Sequence, residues 1–104
     1  MDLRIHFNNI VLLKTFFGNF KGLMFKKRIA STDCYILETN GIHTFFMKFS
    51  LDVIYLNKDK KVIRKFKEMK PGRIGPVDFK CKYVLEFSNN NVMDEISIGD
   101  LIKY

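Results

Sequence analysis

Soft metal ligands are scarce in this chain of 104 residues: two cysteines, Cys34 and Cys81, and two histidines, His6 and His43. No CxxC pair occurs, so a zinc site would have to recruit all four residues, and no metal or other cofactor is expected. In a cytoplasmic protein, which the absence of a membrane span and of a signal peptide leads us to expect, two unclustered cysteines are by default reduced thiols. Tryptophan is absent. No stretch is apolar for long enough to span a bilayer. Residues 1–7 lack the sustained apolar core and small-residue cleavage site of a signal peptide. There is no glycine-rich phosphate loop, no nucleophile elbow and no metal-ligand spacing, which leaves little basis for an enzyme. RNA-recognition, KH and cold-shock signatures are missing too, as are internal repeats, low-complexity tracts and linkers.

Apolar residues are plentiful. They make up 47% of the chain and include eleven phenylalanines. That is enough for a real, aromatic core in a single domain spanning 1–104. The densest apolar region is 41–57. Two runs, 42–47 and 52–57, flank Lys48-Phe49-Ser50-Leu51. Neither contains Pro or Gly, both are rich in strand-forming residues, and each is too short for a stable helix. Both are therefore expected as central strands, covered on both faces. Their anomalies are His43 and Asp52. Either each is hydrogen-bonded at a strand end and sets register, or the two meet at the mouth of a pocket. In the second case the carboxylate would favour an imidazolium and could support general acid–base work.

Along the rest of the chain, 2–7 reads as an extended tail or short strand, and 10–13 as a strand. Thr15 is a plausible N-cap for an amphipathic helix over about 15–25, with Phe16, Phe17, Phe20, Leu23 and Met24 on one face. Cys34-Tyr35-Ile36-Leu37 is a strand, and Asn40-Gly41 a turn. Asn57-Lys58-Asp59-Lys60 makes a hairpin turn into an edge strand over 61–67, on which Val62, Arg64 and Phe66 share one face and Ile63, Lys65 and Lys67 the other. Pro71, Gly72, Gly75 and Pro76 make 69–80 the longest irregular segment, of a length that is often functional. A strand at 82–87, a turn or helix cap at 89–91, at most a short helix at 92–96, a Gly99-Asp100 turn and a last strand at 101–103 complete the reading. The fold class is mainly β, bordering on α+β: an antiparallel barrel-like or sandwich sheet with one N-terminal helix packed on it.

Net charge is +7, and it is local. Residues 58–82 hold ten Lys or Arg against Asp59, Glu68 and Asp78; elsewhere eight cations and eight acids cancel.

The segment 42–47 followed by Leu51-Asp52-Val53-Ile54-Tyr55-Leu56 resembles the central signature of the domain-of-unknown-function 192 family. Gly22-Leu23-Met24-Phe25 and Tyr83-Val84-Leu85-Glu86-Phe87 resemble its two flanking signatures, and Ile98-Gly99-Asp100 its terminal turn. The likeness covers roughly residues 10 to 103. It implies a compact, strand-rich single domain found in bacteria and archaea, with no assigned activity. Two positions depart from the pattern: Ser50 stands where members often have Pro, and Thr39 where many have Cys. Any chemistry resting on that Cys is not expected here.

Three functions remain open. One is a small binding module holding a small molecule or peptide in a cleft lined by His43, Thr44, Met47 and Asp52, with the 69–80 loop as its rim. Another is a polyanion or nucleic-acid surface carrying Lys65, Lys67, Lys70, Arg73 and Lys80, on which Phe66 and Phe79 would stack on bases. The third is an enzyme using His43 as base with Asp52 orienting it, with no clear nucleophile. A protein partner is also compatible with the sequence.

Overall fold

The computed structural model describes residues 1–14, 29–44 and 47–104. Its centre is a five-stranded sheet: β1 (Asn9–Lys14), β2 (Asp33–Glu38), β3 (Leu51–Leu56), β4 (Val62–Met69) and β5 (Tyr83–Phe87), in the spatial order β1-β2-β5-β3-β4. The sheet is mixed rather than antiparallel throughout. β1 runs parallel to β2, while β2–β5, β5–β3 and β3–β4 are antiparallel. A parallel pair needs a long crossover, and residues 15–32 separate these two strands. The expected helix over 15–25 lies outside the described residues. Among those described, β1 and β4 end the strand order and the sheet does not close, so the layered, sandwich-like alternative holds and the barrel does not.

Strand alternation sorts the apolar side chains onto two faces. Cys34 and Ile36 of β2, Ile54 and Leu56 of β3, and Leu85 and Phe87 of β5 form the first face. Two short helices, α1 (Leu3–His6) and α2 (Asn90–Glu95), cover it with Leu3, Phe7, Val92, Met93 and Ile96. The Phe7 and Phe87 rings sit 5.3 Å apart. Leu51, Val53 and Tyr55 of β3 and Val84 of β5 form the second face, with Ile29, Ile42, Met47 and Cys81 packed over them. Every residue of β3 is buried, as its two-sided apolar pattern requires.

Four local readings change. Residues 3–6 are helical because Asp2 caps them, accepting from the Arg4 N–H, while Leu3 is fully buried. Residues 42–44 and 47 form no strand of the sheet; the segment lies against the long loop, with an isolated β-bridge from His43 to Ile74 and hydrogen bonds at Ile42 and Thr44. An apolar run buried under a loop carries the same pattern as a central strand. The expected last strand, 101–103, is reduced to isolated bridges from Leu101 to Lys61 and Lys103 to Asp2. On β4 the simple alternation fails. Val62 joins the first face and Ile63 the second, as alternation requires, but the register shift between Tyr55 and Leu56 then puts Phe66 on the second face with Ile63. One extra residue in a bulge flips every following side chain.

Candidate functional site

β3 begins between the ends of two neighbours. Asp52 pairs with Phe87 at the end of β5, and Leu51 with Met69 at the end of β4. Asp52 is only 2% exposed. One carboxylate oxygen accepts the Glu68 N–H at 2.9 Å, the other the Asn89 N–H at 3.1 Å. Both donors need it. Glu68 has φ of 53°, a left-handed backbone that a non-glycine residue adopts at a cost. Asn89 is the N-cap of α2, its side chain accepting from Val92 N–H. Asp52 thus joins a strained turn of β4 to the start of a helix. Burial pushes its carboxyl above the ordinary aspartate value, against the pull of the two N–H groups.

Phe49, Ser50, Asp52, Glu68 and Ser88 line a cleft of about 390 Å³ at this end of the sheet. A larger hollow of about 700 Å³ runs beside β1, between Phe7, Ile10, Leu12, Lys60 and Tyr104, and among the described residues has no buried carboxyl in its wall.

The other expected site residues lie elsewhere. Thr44 is fully buried and ties down the long loop: its hydroxyl donates to the Lys70 carbonyl at 2.7 Å and accepts the Arg73 N–H at 2.8 Å. Its own N–H reaches the Arg73 carbonyl, and its carbonyl the Gly72 N–H. Met47 packs in the second-face core, whereas Asp52 bonds toward α2 on the first. His43, half-buried, pairs with Ile74 of the loop and does not line the Asp52 cleft.

The five candidate cations are likewise divided. Lys65 donates to the Ile96 carbonyl at the end of α2, and Lys67 pairs with Asp94 of that helix at 2.9 Å. Both project toward the helical face. Lys70, Arg73 and Lys80 are exposed on the long loop. Other cations of 58–82 are engaged as well: Arg64 with Asp78 at 2.8 Å, Lys82 with Glu38 at 2.7 Å, and Lys60 over the Tyr104 ring at 4.2 Å. The four soft ligands do not meet. Cys34 belongs to the first face and Cys81 to the second, and among the described residues no three His, Cys, Asp or Glu side chains cluster as a metal site would require.

Glu86 is the polar residue whose importance the sequence reading passed over. It is 2% exposed, at the middle of the sheet, between Tyr35 of β2 and Val53 of β3. Burial pushes its carboxyl up to about 8. The available signal was a carboxylate inside the apolar run Tyr83–Phe87.

A UPF0127 protein of Thermococcus kodakarensis is 32% identical over 101 residues, covering 91% of this chain and 64% of that protein. A UPF0127 protein of Thermococcus sibiricus is 30% identical over 99 residues, covering 84% and 64%. The chain thus spans a little under two thirds of these relatives' length. Two crystal structures share the fold. A protein of unknown function from Novosphingobium aromaticivorans superposes with a TM-score of 0.75 at 21% identity, over 88% of this chain and 71% of the other. A candidate transcription regulator from Sinorhizobium meliloti gives 0.71 at 19%, over 88% and 78%. The family model described as "Uncharacterized ACR" matches residues 4–104, so the chain belongs to the domain-of-unknown-function 192 family.

Proposed function

We propose that this protein is a small ligand-binding module whose site is the cleft at the start of β3. The observation that carries this reading is the placement of Asp52: a carboxylate almost wholly removed from water forms part of the wall of an open cleft. Each of its oxygens accepts one backbone N–H, and each keeps a second lone pair for a donor in the cleft. The Ser50 and Ser88 hydroxyls offer further hydrogen bonds, and Phe49 offers an apolar ring. That lining suits a small molecule rich in hydroxyl or ammonium donors with one apolar face. Thr44 and Met47 serve this site indirectly, by holding the layer on which β3 rests. A cytoplasmic location fits the two free thiols, Cys34 and Cys81.

The test is an amide NMR titration with a sugar mixture and, separately, an amine-bearing metabolite mixture, at low and physiological salt. Saturable shifts are expected at Phe49, Ser50, Asp52, Glu68 and Ser88, with little salt dependence. Silence at these five amides in both mixtures would remove the proposal.

A further inference from the structure

The long loop has a feature that the cleft does not use. Within six residues it exposes three large apolar side chains: Ile74 at 72%, Val77 at 63% and Phe79 at 92%. A phenylalanine so fully in water is unusual, and a cluster of this kind marks an interaction surface.

The backbone beneath it is pinned to the layer below. Arg73 is bound to Thr44 and the Gly75 N–H to the Ile42 carbonyl; the Tyr55 hydroxyl donates to the Pro76 carbonyl, and the Asp78 N–H to the Asn40 carbonyl. Side chains this exposed on a segment tied down from beneath point away from the protein. Exposed Lys70, Arg73 and Lys80 flank them. The one acid of the loop, Asp78, is held by Arg64 at 2.8 Å and accepts the Lys80 N–H, so its charge is compensated locally.

We infer that the 70–80 loop docks on an anionic lipid surface, inserting Ile74, Val77 and Phe79 among the acyl chains while Lys70, Arg73 and Lys80 meet the headgroups. Apolar groups ringed by cations are the composition such interfaces select. A nucleic acid fits less well: Phe79 could stack on a base, but Ile74 and Val77 have no stacking face, and Arg64, Lys67 and Lys82 are occupied by carboxylates within the protein.

The test is co-sedimentation of the whole chain with phosphatidylcholine vesicles, with and without phosphatidylglycerol, at low and physiological salt. Binding is expected to the anionic vesicles only, weakened but not abolished by salt. Phe79→Ser should weaken it about tenfold while leaving the denaturation midpoint unchanged. Replacing Lys70, Arg73 and Lys80 together with Gln should remove the preference for anionic lipid. Failure to sediment with anionic vesicles, or binding indifferent to Phe79→Ser, would overturn the inference. So would a single-stranded oligonucleotide that binds more tightly than vesicles at physiological salt and loses its affinity in the same variants.

Discussion

Two buried carboxyls belong to the neighbouring strands β3 and β5, and their environments set different chemistry. Asp52 receives two backbone N–H groups, so its charge is partly compensated. Glu86 is raised by burial alone. The folded state therefore holds a proton on Glu86 from its ordinary value of 4.5 up to about 8, a range in which the unfolded chain has released it. Its contribution is fully present below the unfolded value and is lost as pH rises toward 8, by on the order of a few kcal/mol. Half-buried Asp2 and Asp78, held low by Arg4 and Arg64, act with the opposite sign, but only below the ordinary carboxylate range. Urea unfolding at pH 5 and pH 8 checks this. The native protein should be less stable at pH 8, and Glu86→Gln should flatten the difference by stabilising the pH 8 state. Equal slopes in both proteins would mean that Glu86 is not the group responsible. At this scale the sequence was half legible. Asp52 stood out as an anomaly, whereas Glu86 was masked because a strand facing two cores has no solvent side by which to judge it.

The segment that the sequence misjudged, 42–44, turns out to be the clamp of the loop. Strand and buried segment share the same apolar run, and only a pairing partner separates them. Here the partner is the loop, through Thr44, Ile42 and His43. Gly75 shows how close the layers lie: a Cβ there would stand 2.5 Å from the Tyr55 hydroxyl and 2.9 Å from an Ile42 methyl. Gly75→Ala should accordingly destabilise the fold by roughly 1–3 kcal/mol, read as a lowered urea midpoint. Thr44→Val should cost about 1–2 kcal/mol, because the Lys70 carbonyl and the Arg73 N–H lose their hydroxyl partner. Gly72→Ala is a poor control, since Gly72 has φ of 76° and its strain is independent of space. If Gly75→Ala is neutral, the loop does not lie against Tyr55 as described.

For the molecule as a whole, the sheet divides two cores, and each core holds one thiol. Burial, with Glu86 nearby, pushes Cys34 far above the ordinary thiol range, and burial pushes Cys81 up to about 11. Both should resist alkylation at pH 8 in the native state. Their routes to exposure differ. Cys34, near the start of β2, is fully buried beneath the helical layer, whereas Cys81 is at the edge of the long loop, against the Thr39 carbonyl at 3.4 Å. Labelling followed by mass spectrometry should find Cys81 reacting through local loop opening, and Cys34 only at the rate of global unfolding. Equal rates would mean that the loop opens only when the whole protein does.

Composition and periodicity determined the mainly β class, the strands β1 to β5 to within a residue or two and the hairpin turn, while the likeness of the motifs around 42–56 and 83–87 pointed to the family. The class, strands and turn follow from local propensity and from apolar patterns that any burial of the strands must satisfy. Tertiary structure decided the rest. It set β1 parallel to β2, turned 42–44 into a loop clamp, parted Thr44 and Met47 from Asp52, and spread the basic segment over both sides of the sheet. Strand order, register and the partner of a buried polar atom are contacts between residues far apart in the chain, and a single sequence records the residues but not their pairing.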